Sequence, residues 1–140
     1  MATLEQAIAL AVAAHQGQRD KFGGAYILHP LRVMFRLNGG EEQIVGVLHD
    51  VIEDSPTTFD DLRRMGFSET VIEALEGVTR RETESYEEFV ARSGRHPVSR
   101  RVKLADLEDN MDMRRLPVEM ATEDFERLKR YRRAWEQLQA

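Results

Sequence analysis

Four polar side chains occur together in an otherwise apolar stretch of the chain, LHDVIED at residues 48–54. The residues just before it, Ile44-Val45-Gly46-Val47, are apolar enough to belong to a core. An unpaired ionised carboxylate in such surroundings costs several kcal/mol or more. A divalent metal ion held by His49 and Asp50 would remove that cost, because imidazole and carboxylate are both metal ligands. Taken alone the dipeptide is a weak signal, since a lone buried histidine is more often an ordinary core residue.

Two further candidate ligands lie far along the chain from this stretch. His29 precedes Pro30 in AYILHPLRV, and Asp106 lies among apolar neighbours in VKLADLEDNM. Together with His49 and Asp50 they would supply two nitrogen and two oxygen donors. That set suits a divalent transition ion such as Mn, Fe or Zn, with water completing the coordination shell. The combined spacing is a much stronger signal than any one of its parts.

The residues that follow these ligands could prepare a water molecule for attack. A bound metal lowers the pKa of its water, and a neighbouring carboxylate can act as general base. Glu53 lies four residues after His49 and would share its face on a continuous helix. Asp54 stands just before a Ser-Pro pair, so a hydrogen bond at the helix end is its alternative role. Asn110 lies four residues after Asp106 and is predicted to face the same site.

Positive charge beyond the metal would be needed for a substrate rich in phosphate. Arg19 and Lys21 lie in a loop flanked by glycines before His29, and could contact a base or a phosphate. Their alternative is a simple solvated loop. Lys103 lies three residues before Asp106 and is a candidate beside the site, with a surface salt bridge as its alternative.

The elements that position these residues are predicted to be helices throughout. Thr3 with Gln6 forms a potential capping box, and Thr58 with Asp61 and Ser85 with Glu88 repeat the pattern. Start and stop signals predict helices over about residues 4–15, 30–38, 41–52, 59–65, 69–78, 86–93 and 97–113, and from 122 onward. No strand pattern or internal repeat interrupts them. The expected fold is therefore all-α, a single multi-helix domain over residues 1–140.

Composition excludes several other classes of protein. The chain has 140 residues and no cysteine, so disulfides, thiolate zinc sites and cysteine nucleophiles are absent. A net charge of −5 argues against general nucleic-acid binding. No stretch approaches the ~18 apolar residues needed to span a bilayer. We therefore expect a cytoplasmic protein without nucleic-acid or membrane partners, and the oligomeric state is left open.

Taken together, the motifs resemble those of the HD-domain phosphohydrolases. The closer resemblance is to the hydrolase domain of RelA/SpoT-type alarmone enzymes and to stand-alone small alarmone hydrolases. The motifs that carry it are AHQGQ (14–18), YILHP (26–30), VLHDVIED (47–54) and VKLADLEDNM (102–111). The resemblance runs over nearly the whole chain, so we expect a hydrolase domain without a nucleotide-synthesising domain.

The resemblance implies roles for the residues that match these motifs. It implies four ligands of one divalent metal: His29, His49, Asp50 and Asp106. That metal is manganese in the characterised relatives, with Fe²⁺, Zn²⁺ and Mg²⁺ as alternatives. Glu53 and Asp54 would position and deprotonate the attacking water, and Asn110 would contact a small nucleotide substrate. The implied reaction removes the 3′-pyrophosphate from guanosine tetra- or pentaphosphate.

Two positions depart from the pattern of these relatives. Asp20 stands in a loop where they usually carry a pair of basic residues, and Asp109 stands where they often have a histidine. Both changes leave the predicted metal ligands intact but leave the recognised base open. The alternatives are an HD phosphohydrolase acting on another nucleotide or pyrophosphorylated metabolite, and a catalytically silent nucleotide-binding module.

Overall fold

Helices form almost all of the regular structure in the computed structural model, which describes residues 1–140. In chain order the α-helices are α1 Leu4–His15, α2 Leu28–Phe35, α3 Gly40–Leu48, α4 Val51–Asp54, α5 Phe59–Arg64, α6 Glu69–Val78, α7 Tyr86–Ser93, α8 Pro97–Asn110 and α9 Thr122–Gln139. A 3₁₀ turn covers Met113–Arg115, and a single isolated bridge pairs Arg19 with Ala25. The all-α fold class predicted from the sequence is confirmed.

Side-chain caps explain why several of these helices begin where they do. The predicted capping boxes at Thr3, Thr58 and Ser85 are all formed. Ser68 accepts the backbone N–H of Val71 at 3.2 Å and so caps α6. Each cap satisfies a backbone donor that the first helical turn leaves without a partner, and the required residue types can be recognised in the sequence.

Several predicted helix boundaries were wrong. Helix α2 begins at Leu28, so Pro30 lies in its first turn, after His29, and does not open the helix. Proline is tolerated there because N–H groups of the first turn have no partner within the helix. Helix α8 ends at Asn110, short of the predicted Met113.

The main core lies between α1, α2, α3, α6 and α8, which pack against one another. A second, smaller cluster joins α7, α8 and α9, with Leu107 and Leu138 among its buried members. Tyr131 and Trp135 pack against this cluster, whereas Phe125 at the start of α9 is 48% exposed. Helix α8 contributes buried residues to both clusters, so the helix is held between the main core and the smaller cluster. None of the helices has the length and apolar character that crossing a membrane requires.

Candidate metal and nucleotide site

The polar stretch LHDVIED, residues 48–54, interrupts a helix. A continuous helix over about 41–52 was predicted, but α3 ends at Leu48 and α4 begins at Val51. Asp50, between them, has φ −107° and ψ 1°, outside the helical range. In a regular helix two neighbouring residues point about 100° apart. With the helix interrupted, His49 Nε2 and Asp50 Oδ2 lie 3.1 Å from each other.

The four predicted ligands come together at this interruption. His29 Nε2 lies 2.9 Å from Asp106 Oδ1 and 3.9 Å from Asp50 Oδ2. His49 Nε2 lies 3.4 Å from Asp106 Oδ1. Donor atoms of His29, His49 and Asp50 all fall within 4.8 Å of one another, and Asp106 joins them through its contacts with both imidazoles. Two nitrogens and two carboxylates from three separate segments therefore converge on one point.

The protonation of His49 favours a cation at that point. Its Nδ1 lies 2.7 Å from the carbonyl oxygen of Gly46, so Nδ1 must carry the proton and donate it. In the neutral imidazole Nε2 then has a lone pair, and this buried atom has no hydrogen-bond partner. It faces the carboxylates of Asp50 and Asp106, which also present lone pairs. Electron-pair donors arranged in this way require a proton or a metal ion between them, so the residues fit a divalent metal.

The pKa values of the cluster reflect the same crowding of charge. Burial lowers the pKa of His49, but the carboxylates of Asp50 and Asp106 outweigh it and raise that pKa well above its usual value. Burial opposes ionisation of Asp50 as well, yet the His49 imidazolium lowers its pKa to about 2. The pKa of Asp106 is lowered well below its usual range, because Lys103 and the two imidazoles outweigh the effect of burial.

Residues around the cluster hold its carboxylates in place. Lys103 Nζ donates to Asp106 Oδ2 at 3.0 Å, and Asn110 Nδ2 donates to Asp106 Oδ1 at 3.1 Å. The Lys103 side chain is only 10% exposed, so its ion pair is not a surface salt bridge. The Tyr26 hydroxyl donates to Asp50 Oδ2. Tyr26 lies in the YILHP motif, but nothing in the sequence singled it out because its partner is distant along the chain.

A cavity of about 470 Å³ opens beside the cluster. His29, Asp50 and Asp106 lie in its wall, and His49 lines a small adjoining pocket. The four residues predicted to contact substrate all line the cavity, namely Arg19, Lys21, Lys103 and Asn110. Three further cations line it that the sequence did not single out, namely Arg80, Arg115 and Arg127. The cavity therefore combines a cluster of metal-type ligands with six basic side chains and three further carboxylates, those of Asp20, Glu53 and Asp124.

The two carboxylates predicted to handle water lie in different surroundings. Glu53 lines the cavity, and one of its oxygens accepts the backbone N–H of Arg80 at 2.7 Å. Burial raises the pKa of Glu53, which brings it closer to the range of a general base. Asp54 does not line the cavity, and its Oδ2 accepts a hydrogen bond from Gln18 at 3.1 Å. A catalytic role for Asp54 stays a prediction.

The curated relatives of this chain include proteins named as guanosine-3′,5′-bis(diphosphate) 3′-pyrophosphohydrolases and proteins named as GTP pyrophosphokinases. A guanosine-3′,5′-bis(diphosphate) 3′-pyrophosphohydrolase of Aquifex aeolicus is 31% identical over 120 residues, which are 77% of this chain and 17% of that protein. The bifunctional (p)ppGpp synthase/hydrolase SpoT of Escherichia coli is 40% identical over 81 residues, or 55% of this chain and 11% of that protein. The chain is a relative of these alarmone enzymes. The resemblance predicted from the motifs is thereby confirmed.

A solved structure extends the likeness to the fold. It is described as a metazoan ortholog of SpoT that hydrolyses ppGpp, and it matches with a TM-score of 0.78. The match covers 96% of this chain and 84% of that one at 19% identity, so it shows a shared fold. No family model matches the chain. The chain spans less than a fifth of the length of the two curated relatives, so their activities are not transferred to it by similarity alone.

Proposed function

We propose that this chain is a metal-dependent phosphohydrolase that removes the 3′-pyrophosphate from guanosine tetra- or pentaphosphate, leaving GDP or GTP. The observation that carries the proposal is the convergence of His29, His49, Asp50 and Asp106 beside a cavity lined by six basic side chains. The names of the curated relatives and the shared fold support it. We further propose that residues 1–140 act as one hydrolase unit in the cytoplasm, where guanine nucleotides are found.

The four converging residues would hold one divalent metal ion. Manganese is the ion that the resemblance implies, and Fe²⁺, Zn²⁺ or Mg²⁺ would also accept nitrogen and oxygen ligands. When bound, such an ion lowers the pKa of water and polarises a phosphoryl oxygen. Tyr26, Lys103 and Asn110 donate to the carboxylates and fix the directions in which their remaining lone pairs point.

Glu53 is proposed as the general base. It lies in the cavity wall next to the ligand cluster, and burial raises the pKa of its carboxyl group. A carboxylate with a raised pKa is a better proton acceptor, and so more effective in taking a proton from the attacking water. The hydrogen bond from the Arg80 backbone to one oxygen orients the side chain and leaves the second oxygen for that water.

The basic residues of the wall are proposed to bind the phosphate groups. Lys103 is held beside Asp106, while Arg19 and Lys21 reach the cavity from the loop before α2. Arg127 lines the cavity from α9 and is partly neutralised by Asp124 at 3.0 Å. Positive charge on several sides suits a substrate that carries phosphate at two positions of one ribose.

A panel of nucleotides tests this proposal and separates it from its alternatives. The manganese-loaded protein would be incubated with guanosine tetraphosphate and guanosine pentaphosphate, and separately with GTP, ATP and the 2′-deoxy forms of these two triphosphates. The products would be resolved by chromatography. Release of pyrophosphate from the 3′ position supports the proposal. Turnover of another nucleotide alone would replace it with a phosphohydrolase of different specificity. Binding without turnover would replace it with a silent nucleotide-binding module.

The ligand set is tested separately by metal content. Asp106→Asn keeps the shape of the side chain but removes its charge, and we expect it to lose most of the bound manganese after dialysis. Asp124→Asn is a matched control, because Asp124 lines the same cavity without contacting the cluster. Unchanged metal content in Asp106→Asn would show that the ligands are wrongly assigned.

A further inference from the structure

Asp109 is a completely buried carboxylate next to one of the proposed ligands. It lies in the last turn of α8 with 0% exposure. Its Oδ2 is 2.6 Å from His29 Nδ1, on the opposite side of the imidazole from Asp106. No role for Asp109 follows from the sequence alone.

Three basic groups donate hydrogen bonds to this carboxylate, and the guanidinium of Arg36 lies 3.9 Å from its Oδ1. Arg32 Nε donates to Oδ1 at 2.8 Å, and Arg115 Nη1 donates to Oδ2 at 2.9 Å. His29 is the third. Asp109 is therefore an anion, and its contact with His29 is a charged hydrogen bond.

The orientation of His29 follows from this contact. Because a carboxylate can only accept, Nδ1 of His29 must carry a proton. The other nitrogen, Nε2, then points at Asp106 and Asp50. In metal sites a carboxylate behind a histidine in this way fixes the tautomer, orients the ring and makes the ligating nitrogen more basic.

We propose that Asp109 is a positioning residue for the metal centre, acting through His29. The inference rests on the metal site of the proposed function but not on the identity of the substrate. The competing explanation is purely structural, because Asp109 also ties α8 to Arg32 of α2 and to Arg115. The two explanations differ in whether loss of the carboxylate weakens metal binding in a protein that is still folded.

Manganese affinity measured by titration calorimetry tests the proposal. Asp109→Asn keeps the size of the side chain and one acceptor oxygen but removes the charge. We expect it to bind Mn²⁺ about 10- to 100-fold more weakly than the natural sequence. Glu108→Gln is the matched control, because Glu108 is the adjacent carboxylate on α8 and contacts Trp135 and Arg36 but no proposed ligand. We expect its affinity to stay within about twofold of the natural sequence.

The outcomes separate this proposal from the proposed function. If the natural sequence binds no Mn²⁺, the metal site itself is wrong. If the natural sequence binds Mn²⁺ and Asp109→Asn binds it equally well, only the role of Asp109 is overturned. An equal loss of Mn²⁺ affinity in Glu108→Gln would also overturn the role of Asp109. The loss would then follow from removing any carboxylate of this helix turn and would not be specific to Asp109.

A spectroscopic measurement on the natural sequence covers the case in which Asp109→Asn does not fold. Nitrogen-15 spectra of the histidine side chains, recorded with diamagnetic Zn²⁺ bound, report which imidazole nitrogen carries the proton. We expect a proton on Nδ1 of His29 and the metal on Nε2. A spectrum with the metal on Nδ1 would overturn the proposal, because Asp109 could not then accept from that atom.

Discussion

At the scale of single residues, the site is a set of electron-pair donors that needs positive charge at its centre. His49 shows this most directly, because Gly46 fixes the proton on Nδ1 and leaves Nε2 buried among carboxylates. Protons on the histidines can supply the charge when no metal is bound, and the raised pKa values of His29 and His49 are the consequence. Metal ions and protons should therefore compete for the same nitrogens.

The general base gives the first prediction at this scale. Glu53→Gln removes the proton acceptor without removing a ligand, so we expect unchanged manganese binding and a kcat lower by about 10²- to 10⁴-fold. Steady-state kinetics and metal analysis of the same preparation check both parts. Glu87→Gln, an exposed glutamate on α7, is the control and should keep its rate. A Glu53→Gln enzyme with a near-natural kcat would remove Glu53 from this role.

The histidines give a second prediction, which concerns pH. Their folded-state pKa values are raised above the ordinary 6.5, so the metal-free folded protein holds protons that the unfolded chain has already lost. Their contribution to stability is complete below pH 6.5 and is lost as pH rises through the folded-state values. Thermal unfolding in chelator should therefore occur at lower temperature as pH increases above 6.5.

The affinity for Mn²⁺ should increase over the pH range in which the stability of the metal-free protein decreases. The metal has to displace those protons, so Mn²⁺ affinity should rise with pH and binding should release protons to the buffer. Calorimetric titrations in buffers of different ionisation enthalpy measure the release. An affinity that does not depend on pH, with no proton release, would contradict the raised pKa values.

At the scale of elements, the position of the site depends on where helices end. Capping motifs in the sequence predicted α1, α5, α6 and α7, because a cap depends on local contacts between residues three positions apart. The break between α3 and α4 could not be predicted in this way, since the apolar periodicity continues through it. It coincides with a contact between residues distant along the chain, the hydrogen bond from Tyr26 to Asp50.

The contact of Asp109 with His29 could not be predicted, for a similar reason. In the sequence it is one acidic residue among several near the end of α8, and its partner His29 is 80 positions away. Apolar spacing predicted which helices form but could not predict that α2 and α8 place these two side chains in contact. The four proposed ligands could be predicted because their types and spacing match a known pattern.

Close packing of α6 against α8 supports the helix that carries Asp106 and gives a prediction for Gly77. A Cβ at this position would lie 2.8 Å from the Cβ of Ser99, which is fully buried on α8 and cannot move without its backbone. We expect Gly77→Ala to lower the free energy of unfolding by about 1–3 kcal/mol in urea titrations. In Gly40→Ala, where the added methyl group meets open space, we expect no loss. Equal stability of both variants would contradict this packing.

At the scale of the whole molecule, the cavity assembles residues from segments that are far apart in the chain. Its basic residues come from the loop before α2, from the segment after α6, from α8 and from α9. The sequence indicated Arg19, Lys21 and Lys103 because they lie near the motifs. It gave no sign of Arg80 or Arg115, and Arg127 lies in a basic run, RLKRYRR (127–133), that is typical of a solvated helix end. Only the packing of α9 and the connecting segments brings the three to the same cavity.

Lys21, a basic residue of the cavity wall outside the ligand cluster, gives a prediction about substrate binding. Lys21→Gln should raise KM by about tenfold, equivalent to ~1.4 kcal/mol of binding free energy, with little change in kcat. Lys129→Gln is the matched control, because Lys129 is exposed on α9 and does not line the cavity. Initial rates over a range of substrate concentrations separate the two constants. An unchanged KM in Lys21→Gln would remove this loop from the substrate site.

The central claim is metal-dependent removal of a 3′-pyrophosphate, and one measurement tests it most directly. Purified protein with verified manganese content is mixed with guanosine tetraphosphate, and GDP and pyrophosphate are quantified by anion-exchange chromatography before and after addition of a chelator. We expect the two products in equal amounts, formation that stops in the chelator, and recovery when Mn²⁺ is restored. Absence of GDP with the loaded protein, or formation that continues unchanged in the chelator, would contradict the claim.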